Sequence, residues 1–243
     1  MRLLSLIAAT LILGAQIMFA DSAADFAKAN REYAAEHYQA ATEGYESLVR
    51  AGQSNPALFY NLGNAWYRRG DRARAILNYE RALVLEPHHA ESRANLELVR
   101  DQARALELAP QWPDRFLSAI SPAGYTWIAA VAFWVGLFSL VLCLFRRSAV
   151  KIIVTLCAFA ICAGAIYAVF TIENGNRGAL LAIVLGKNIE ARLATADNAN
   201  SVLALPPGSE VKVLSTRGDW SYAALPNNLR GWIPTSSAEL VRL

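Results

Sequence analysis

Residues 56–89 read PALFYNLGNAWYRRGDRARAILNYERALVLEPHH, and the fold of the first half of the chain turns on this stretch. Gly63 and Ala75 are small where two helices must cross closely, and Trp66 and Tyr79 fill the space beside them. Gly70 and Asp71 end the first helix and start the second, and Pro87 ends the second. Shifting the preceding segment by 34 residues superposes it on this one. Ala23 falls on Ala57, Asn30 on Asn64, Tyr33 on Tyr67, Ala41 on Ala75, Tyr45 on Tyr79 and Glu46 on Glu80. A helix pair repeated at this period builds an all-α stack, because each pair buries its apolar face only against its neighbour.

The block resembles the tetratricopeptide repeat, with Phe59, Leu62, Gly63, Trp66, Ala75, Tyr79, Ala82 and Pro87 where that family places its helix-packing residues. A repeat domain is expected over 22–105, with copies at 22–55 and 56–89. Residues 90–105, where Asn95 and Leu96 repeat Asn61 and Leu62, are expected to form a capping helix with a polar outer face. The resemblance implies a concave groove lined by the first helix of each repeat and faced by Phe26, Asn30, Tyr33, Tyr60, Asn64, Tyr67 and Arg68. Aromatic rings alternating with amides suit an extended or helical peptide. Helix packing is the competing reading for Tyr33 and Tyr67. Asn30 and Asn64 also resemble the amides of clamps that grip a terminal carboxylate. The basic partners of such clamps are replaced by Phe26, Ala94 and Leu98, which argues against that ligand.

The rest of the chain is unusually apolar. Of 243 residues 55% are hydrophobic, and the mean hydropathy is +0.25. Arg2, the apolar run Leu3–Phe19 and the small residues that follow read as a secretory signal over 1–20. Two uncharged runs of 21 residues, Tyr125–Phe145 and Ile152–Ile172, are each long enough as helices to cross the hydrocarbon core, about 30 Å. The short connection holds Arg146, Arg147 and Lys151 with no acid, so it is expected to face the cytoplasm. Both flanking domains then lie outside the cytoplasmic membrane, on the periplasmic side, as the signal also requires. Ala132 and Gly136 in one run, and Ala160, Gly164 and Ala168 in the other, are small enough for close helix packing. Residues 106–122, with Trp112 and Phe116, read as a linker. All three cysteines fall in the spans, and neither span has an ionisable group of the kind a proton or ion path needs.

Beyond Ile172 the sequence turns to short β-branched and aromatic runs: 180–184, 188–192, 202–205, 210–214, 220–224, 230–234 and 239–242. Turns are expected at Pro206–Gly208, Gly218–Asp219 and Pro226–Asn228. Residues 178–243 therefore read as a small all-β barrel. Gly208 before a strand, Trp220 after a Gly-Asp turn and Gly231-Trp232-Ile233-Pro234 resemble the bacterial SH3-like domain, whereas LATA follows Arg192 where that family has Gly-Pro. The resemblance makes Trp220, Tyr222 and Trp232 candidate ligand contacts. In so small a barrel, a core position for Trp220 or Trp232 is the competing reading.

The three histidines (His37, His88, His89) lack metal-ligand spacing, and no nucleophile or paired-carboxylate motif stands out, so neither enzyme, cofactor nor metal is expected. The net charge of +3 is spread without a basic block or phosphate loop, which excludes a nucleic-acid ligand. Signal, repeats, two spans and SH3-like domain in this order resemble the E-type membrane proteins of the Bat (aerotolerance operon) family. That resemblance implies membrane partners with von Willebrand A-type domains and a MoxR-type ATPase, and a scaffold in an aerotolerance or stress-related envelope complex. A peptidoglycan-sensing regulator is the alternative.

Overall fold

The computed structural model describes residues 22–109, 116–117, 120–145, 148–175 and 178–242. The expected signal, Trp112 and the arginines of the loop between the apolar runs lie outside the described residues. Three parts follow one another: a helical repeat region, a pair of long apolar helices and an antiparallel sheet.

The repeat region comprises α1 (22–34), α2 (Tyr38–Arg50), α3 (Pro56–Arg68), α4 (Arg72–Leu85) and α5 (Ala90–Ala103). Local chemistry sets the helix starts. Asn55 caps α3 by accepting from Leu58 N, with Pro56 in the first turn, and Asp71 caps α4 by accepting from Arg74 N. Gly70 takes a left-handed φ of +82° between them, which a side chain would resist.

The stack is locked by one hydrogen-bond pattern used twice. Tyr45 Oη donates to Asn30 Oδ1 at 2.7 Å, and Asn61 Nδ2 donates to the same oxygen at 3.0 Å. Thirty-four residues on, Tyr79 Oη and Asn95 Nδ2 meet Asn64 Oδ1 at 2.7 and 3.0 Å. Each asparagine thus ties its own helix pair to the next helix. Burial pushes the Tyr45 hydroxyl pKa up to about 12, helped by Tyr33 and opposed by the Asn61 bond; Tyr79 is raised for the same first reason.

The apolar helices are α6 (Pro122–Phe145) and α7 (Ala149–Asn174). Each is long and apolar enough to cross a membrane, and only 17% and 28% of their most apolar windows are buried. A core helix of a soluble protein would be mostly covered. The helices pack through Ala132, Gly136 and Ser139 on α6 and Thr155, Ala158, Cys162, Ala165 and Ala168 on α7. Of the expected small-residue stripe on α7 only Ala168 faces inward. Ala160 is exposed, and a Cβ on Gly164 would meet nothing within 4 Å. The buried positions follow spacings of three and four, the seam of a left-handed helix pair, instead of a strict four.

The sheet contains β1 (Leu181–Val184), β2 (Ile189–Arg192), β3 (Ser201–Leu205), β4 (Glu210–Arg217), β5 (Trp220–Ala224), β6 (Arg230–Pro234) and β7 (Ala238–Leu240), ordered β3-β2-β6-β5-β4-β1-β7. Leu205 of β3 and Val184 of β1 share one buried cluster although their strands lie far apart in that order, so the sheet is strongly curved.

β1 is buried on both faces. Ala182 and Val184 point into the sheet's own core, whereas Leu181 and Ile183 join Ile76, Tyr79 and Val99 in the core of the repeats. Polar bonds reinforce the junction. Arg100 of α5 donates to the carboxylates of Glu80 on α4 and Glu210 on β4, and all three side chains are almost fully buried. Leu108 N donates to the second oxygen of Glu210 at 2.9 Å, and Glu210 N donates to Leu106 O at 2.8 Å. Arg81 of α4 reaches Glu239 at 2.6 Å and the carbonyl oxygens of Leu240 and Val241. The capping helix keeps Glu91, Arg93, Glu97, Asp101 and Gln102 on an exposed face, while its buried Arg100 joins it to the sheet.

Candidate functional site

Three helices build the concave face. Phe26, Asn30 and Tyr33 on α1 correspond to Tyr60, Asn64 and Tyr67 on α3, and all six are half-buried. Their spacing of four and three residues places each trio on one helix face. Tyr33, Tyr60, Asn64, Tyr67 and Arg68 converge on a cleft of about 360 Å³. Phe26 and Asn30 do not line it. Phe26 tilts against Tyr45 with ring centroids 5.9 Å apart, and Asn30 spends its amide oxygen inside the stack.

The remaining wall comes from Tyr79, Asn95, Leu98 and Val99. Asn95 and Leu98 show that the capping helix takes part in the groove as a repeat's first helix does. The signal was available in the sequence, since Asn95 stands 34 residues after Asn61. Asn64 lines the cleft, but Tyr79 and Asn95 already hold its oxygen, so it is first a structural residue. Tyr60 packs near Tyr79 and against the His89 ring, at 6.2 and 5.2 Å between centroids. Tyr67 Oη donates to Gln102 Oε1 at 3.2 Å at the exposed rim. Arg68 is exposed and lies over the Tyr38 ring at 6.0 Å; Tyr33, then Tyr38, raise its pKa above the ordinary value. Arg68 is the only charged residue of the cleft wall among the described residues. The face offers ring edges, amides and one cation.

A second surface lies on the sheet. Burial alternates along β5 and β6, with Ser221, Ala223, Gly231 and Ile233 inside. Trp220, Tyr222 and Trp232 take the other parity and are half-exposed. Tyr222 and Trp232 are cross-strand partners with rings 5.0 Å apart and tilted by 42°, and Trp220 pairs with Pro234. Arg192 of β2 is the register partner of Trp232. None of the three aromatics belongs to the sheet's core, which is built of smaller residues such as Ala182, Ala191, Ala223 and Ile233.

The family model for the tetratricopeptide repeat matches residues 56–89. No curated protein matches the chain. A tetratricopeptide repeat is an interaction module, typically a non-catalytic scaffold, and the tyrosine-lined cleft lies within and beside the matched segment.

Proposed function

We propose that this protein is a non-enzymatic, membrane-anchored adaptor whose repeat cleft grips a segment of a partner protein. The cleft carries the reading: four tyrosines, two amides and Arg68 converge on it from the repeat helices, and its wall contains no group suited to covalent chemistry. Contacts between the parts support the placement of both folded domains on one side, taken to be the periplasmic side. Arg81 and Arg100 precede the apolar pair, and their partners Glu239 and Glu210 follow it. Two spans return the chain to the side it left, so these ion pairs are compatible with a hairpin in the membrane. The charge of the loop between the helices orients that hairpin with its turn in the cytoplasm.

The curved sheet, its Gly208 turn and the Gly231–Pro234 strand fit an SH3-like barrel. With that assignment the order of parts supports kinship with the Bat E-type proteins, and von Willebrand A-type membrane proteins and a MoxR-type ATPase become the partners to test. A second reading rests on the half-exposed Tyr222–Trp232 pair, which suits peptidoglycan.

Affinity capture with the full-length protein in mild detergent separates these readings. Tyr60→Ala with Arg68→Ala should abolish co-purification of the von Willebrand A-type partner and leave sedimentation with purified peptidoglycan unchanged. Trp232→Ala should leave partner capture intact. Loss of partner capture in Trp232→Ala, with capture intact in the cleft variant, refutes the cleft assignment.

A further inference from the structure

A second cleft, of about 510 Å³, opens between the repeats and the sheet at the turn from α3 to α4. Arg69, Asp71 and Arg72 line it from that turn, Gln102 from the end of α5, and Leu185 and Lys187 from the loop after β1. Its charge is one-sided. Arg69, Arg72 and Lys187 are exposed, and none of them pairs with a carboxylate among the described residues. Arg69 lies over the Trp66 ring at 4.3 Å, and Arg72 Nε donates to Gln102 Oε1 at 3.5 Å. Asp71 is the one acid of the wall among the described residues, and it is already taken. Its carboxylate accepts from Arg74 N and Arg74 Nη1, both at 3.0 Å, and Arg74 does not line the cleft. Asp101, next to Gln102 in sequence, does not line it either.

Two observations bear on what covers these cations. The cleft adjoins the tyrosine cleft of the repeats. Gln102 Oε1 accepts from Tyr67 at 3.2 Å on the one side and from Arg72 on the other, so a single side chain separates the two. A chain that leaves the tyrosines over Gln102 meets Arg72 next. The cleft is also remote from the apolar helices. From Arg72, α4 runs 14 residues, about 20 Å, to Leu85, which lies beside Pro122 and Glu173 at the ends of α6 and α7. Salt screens charge over about 10 Å, so lipid headgroups at that far end are out of reach. Three exposed cations from two parts of the fold suit several carboxylates along one chain, and the repeat cleft supplies the chain.

We infer that the partner segment held in the repeat cleft, the reading on which this inference rests, continues into an acidic stretch whose carboxylates lie against Arg69, Arg72 and Lys187. Through Lys187 the sheet then grips the same ligand as the repeats.

The test uses the full-length protein in mild detergent and two labelled peptides, hexaglutamate and hexaglutamine, with binding read by fluorescence anisotropy. Hexaglutamate should bind, more weakly as salt rises, and hexaglutamine should not. Arg72→Glu and Lys187→Glu should each weaken binding several-fold, and together roughly tenfold or more, since a lost exposed ion pair counts for up to about fivefold and reversal adds repulsion. Arg230→Glu makes the same change of net charge on the exposed side of β6 and should leave binding in place. A glutamate is favourable in the first turn of a helix, so α4 should survive Arg72→Glu, and Lys187→Glu reports independently. Equal binding of the two peptides, no loss in the Arg72 and Lys187 variants, or an equal loss in Arg230→Glu overturns the site. Displacement of hexaglutamate by inorganic phosphate at equal concentration overturns the peptide assignment. The same variants in the partner-capture experiment separate this inference from the reading beneath it. Capture that needs Tyr60 and Arg68 but tolerates the double reversal sinks the acidic extension alone, whereas capture indifferent to both pairs sinks the repeat cleft as well.

Discussion

Gly63→Ala sets helix propensity against packing. In an exposed helix interior the exchange stabilises by about 1 kcal/mol. At Gly63 the added Cβ would stand 2.7 Å from Cε1 and 2.8 Å from Cδ1 of Tyr79. Carbon atoms settle at about 3.5–4.0 Å, so the ring must retreat by roughly 0.8 Å or more. Tyr79 is 1% exposed, and its hydroxyl is pinned 2.7 Å from Asn64, which also holds Asn95. Overpacking costs about 1–3 kcal/mol, and loosening the hydrogen-bonded trio adds about 0.5–1.5 kcal/mol. After the propensity gain, a net loss of about 0.5–3.5 kcal/mol remains. The full chain in detergent should melt several degrees lower by near-ultraviolet circular dichroism, which reports the aromatic packing. Hydrogen exchange should quicken in α3 and α4. Gly164→Ala, with open space around the new methyl, is the control: it gains helix propensity without a clash and should leave the midpoint in place or raise it. Tyr79→Phe frees the ring from Asn64, so the cost of Gly63→Ala should shrink in that background. A raised midpoint, or strict additivity of the two changes, would refute the pinned-ring argument.

Arg100→Leu should destabilise the chain by about 3–5 kcal/mol in denaturant titration, because Glu80 and Glu210 would stay buried without their cation. Adding Glu80→Gln and Glu210→Gln should restore much of the loss. Burial raises the Tyr45 and Tyr79 hydroxyls above the ordinary tyrosine value of 10.0, Tyr45 to about 12. The Tyr45 contribution is full below pH ~10 and is lost as pH rises through about 12, and that of Tyr79 persists higher still, so absorbance titration should show tyrosines lagging the exposed ones and Tyr45→Phe should remove one of them. A reporter active only in the cytoplasm, fused after Leu243, should be silent; strong activity there would sink the proposed topology.

Much of the architecture was legible because it repeats or alternates locally. The shift that lays Tyr45 on Tyr79 and Asn30 on Asn64 reappears as two copies of one hydrogen-bond set. Strands β5 and β6 begin and end where the aromatic pattern and turn residues put them. The junction was not legible, for a physical reason. Glu80, Arg81 and Arg100 are charged residues on helices, which ordinarily point to water, and the partners of both arginines on the sheet lie more than a hundred residues away. Nothing local marks such a position. Leu181–Val184 reads as a plain apolar strand, and only tertiary structure divides its alternate side chains between two cores. In the cleft, Tyr60 and Tyr67 were readable as a helix face, whereas the prior commitment of Asn64 to Tyr79 depends on how two helices meet.

On the proposed adaptor reading, the buried Arg100 cluster bears on how two binding surfaces are placed. Removing one guanidinium and two carboxylates from water costs several kcal/mol per ion, so an apolar junction of similar volume could have been as stable. Charged groups add directionality: Arg100 meets Glu80 and Glu210 in one relative placement of α4, α5 and β4. Ile76 imposes a further limit, because a Cβ on Gly208 would approach its Cδ1 to 2.5 Å. Leu181, Ile183 and Val241 complete the contact inside the repeat core. The repeat cleft and the Tyr222–Trp232 face are thereby held at a set separation, unlike two modules on a flexible tether. For two ligands that must be gripped together, such spacing raises effective concentration only when their geometry matches. If both surfaces bind as proposed, loosening the junction should weaken joint engagement of two ligands more than the binding of either one alone.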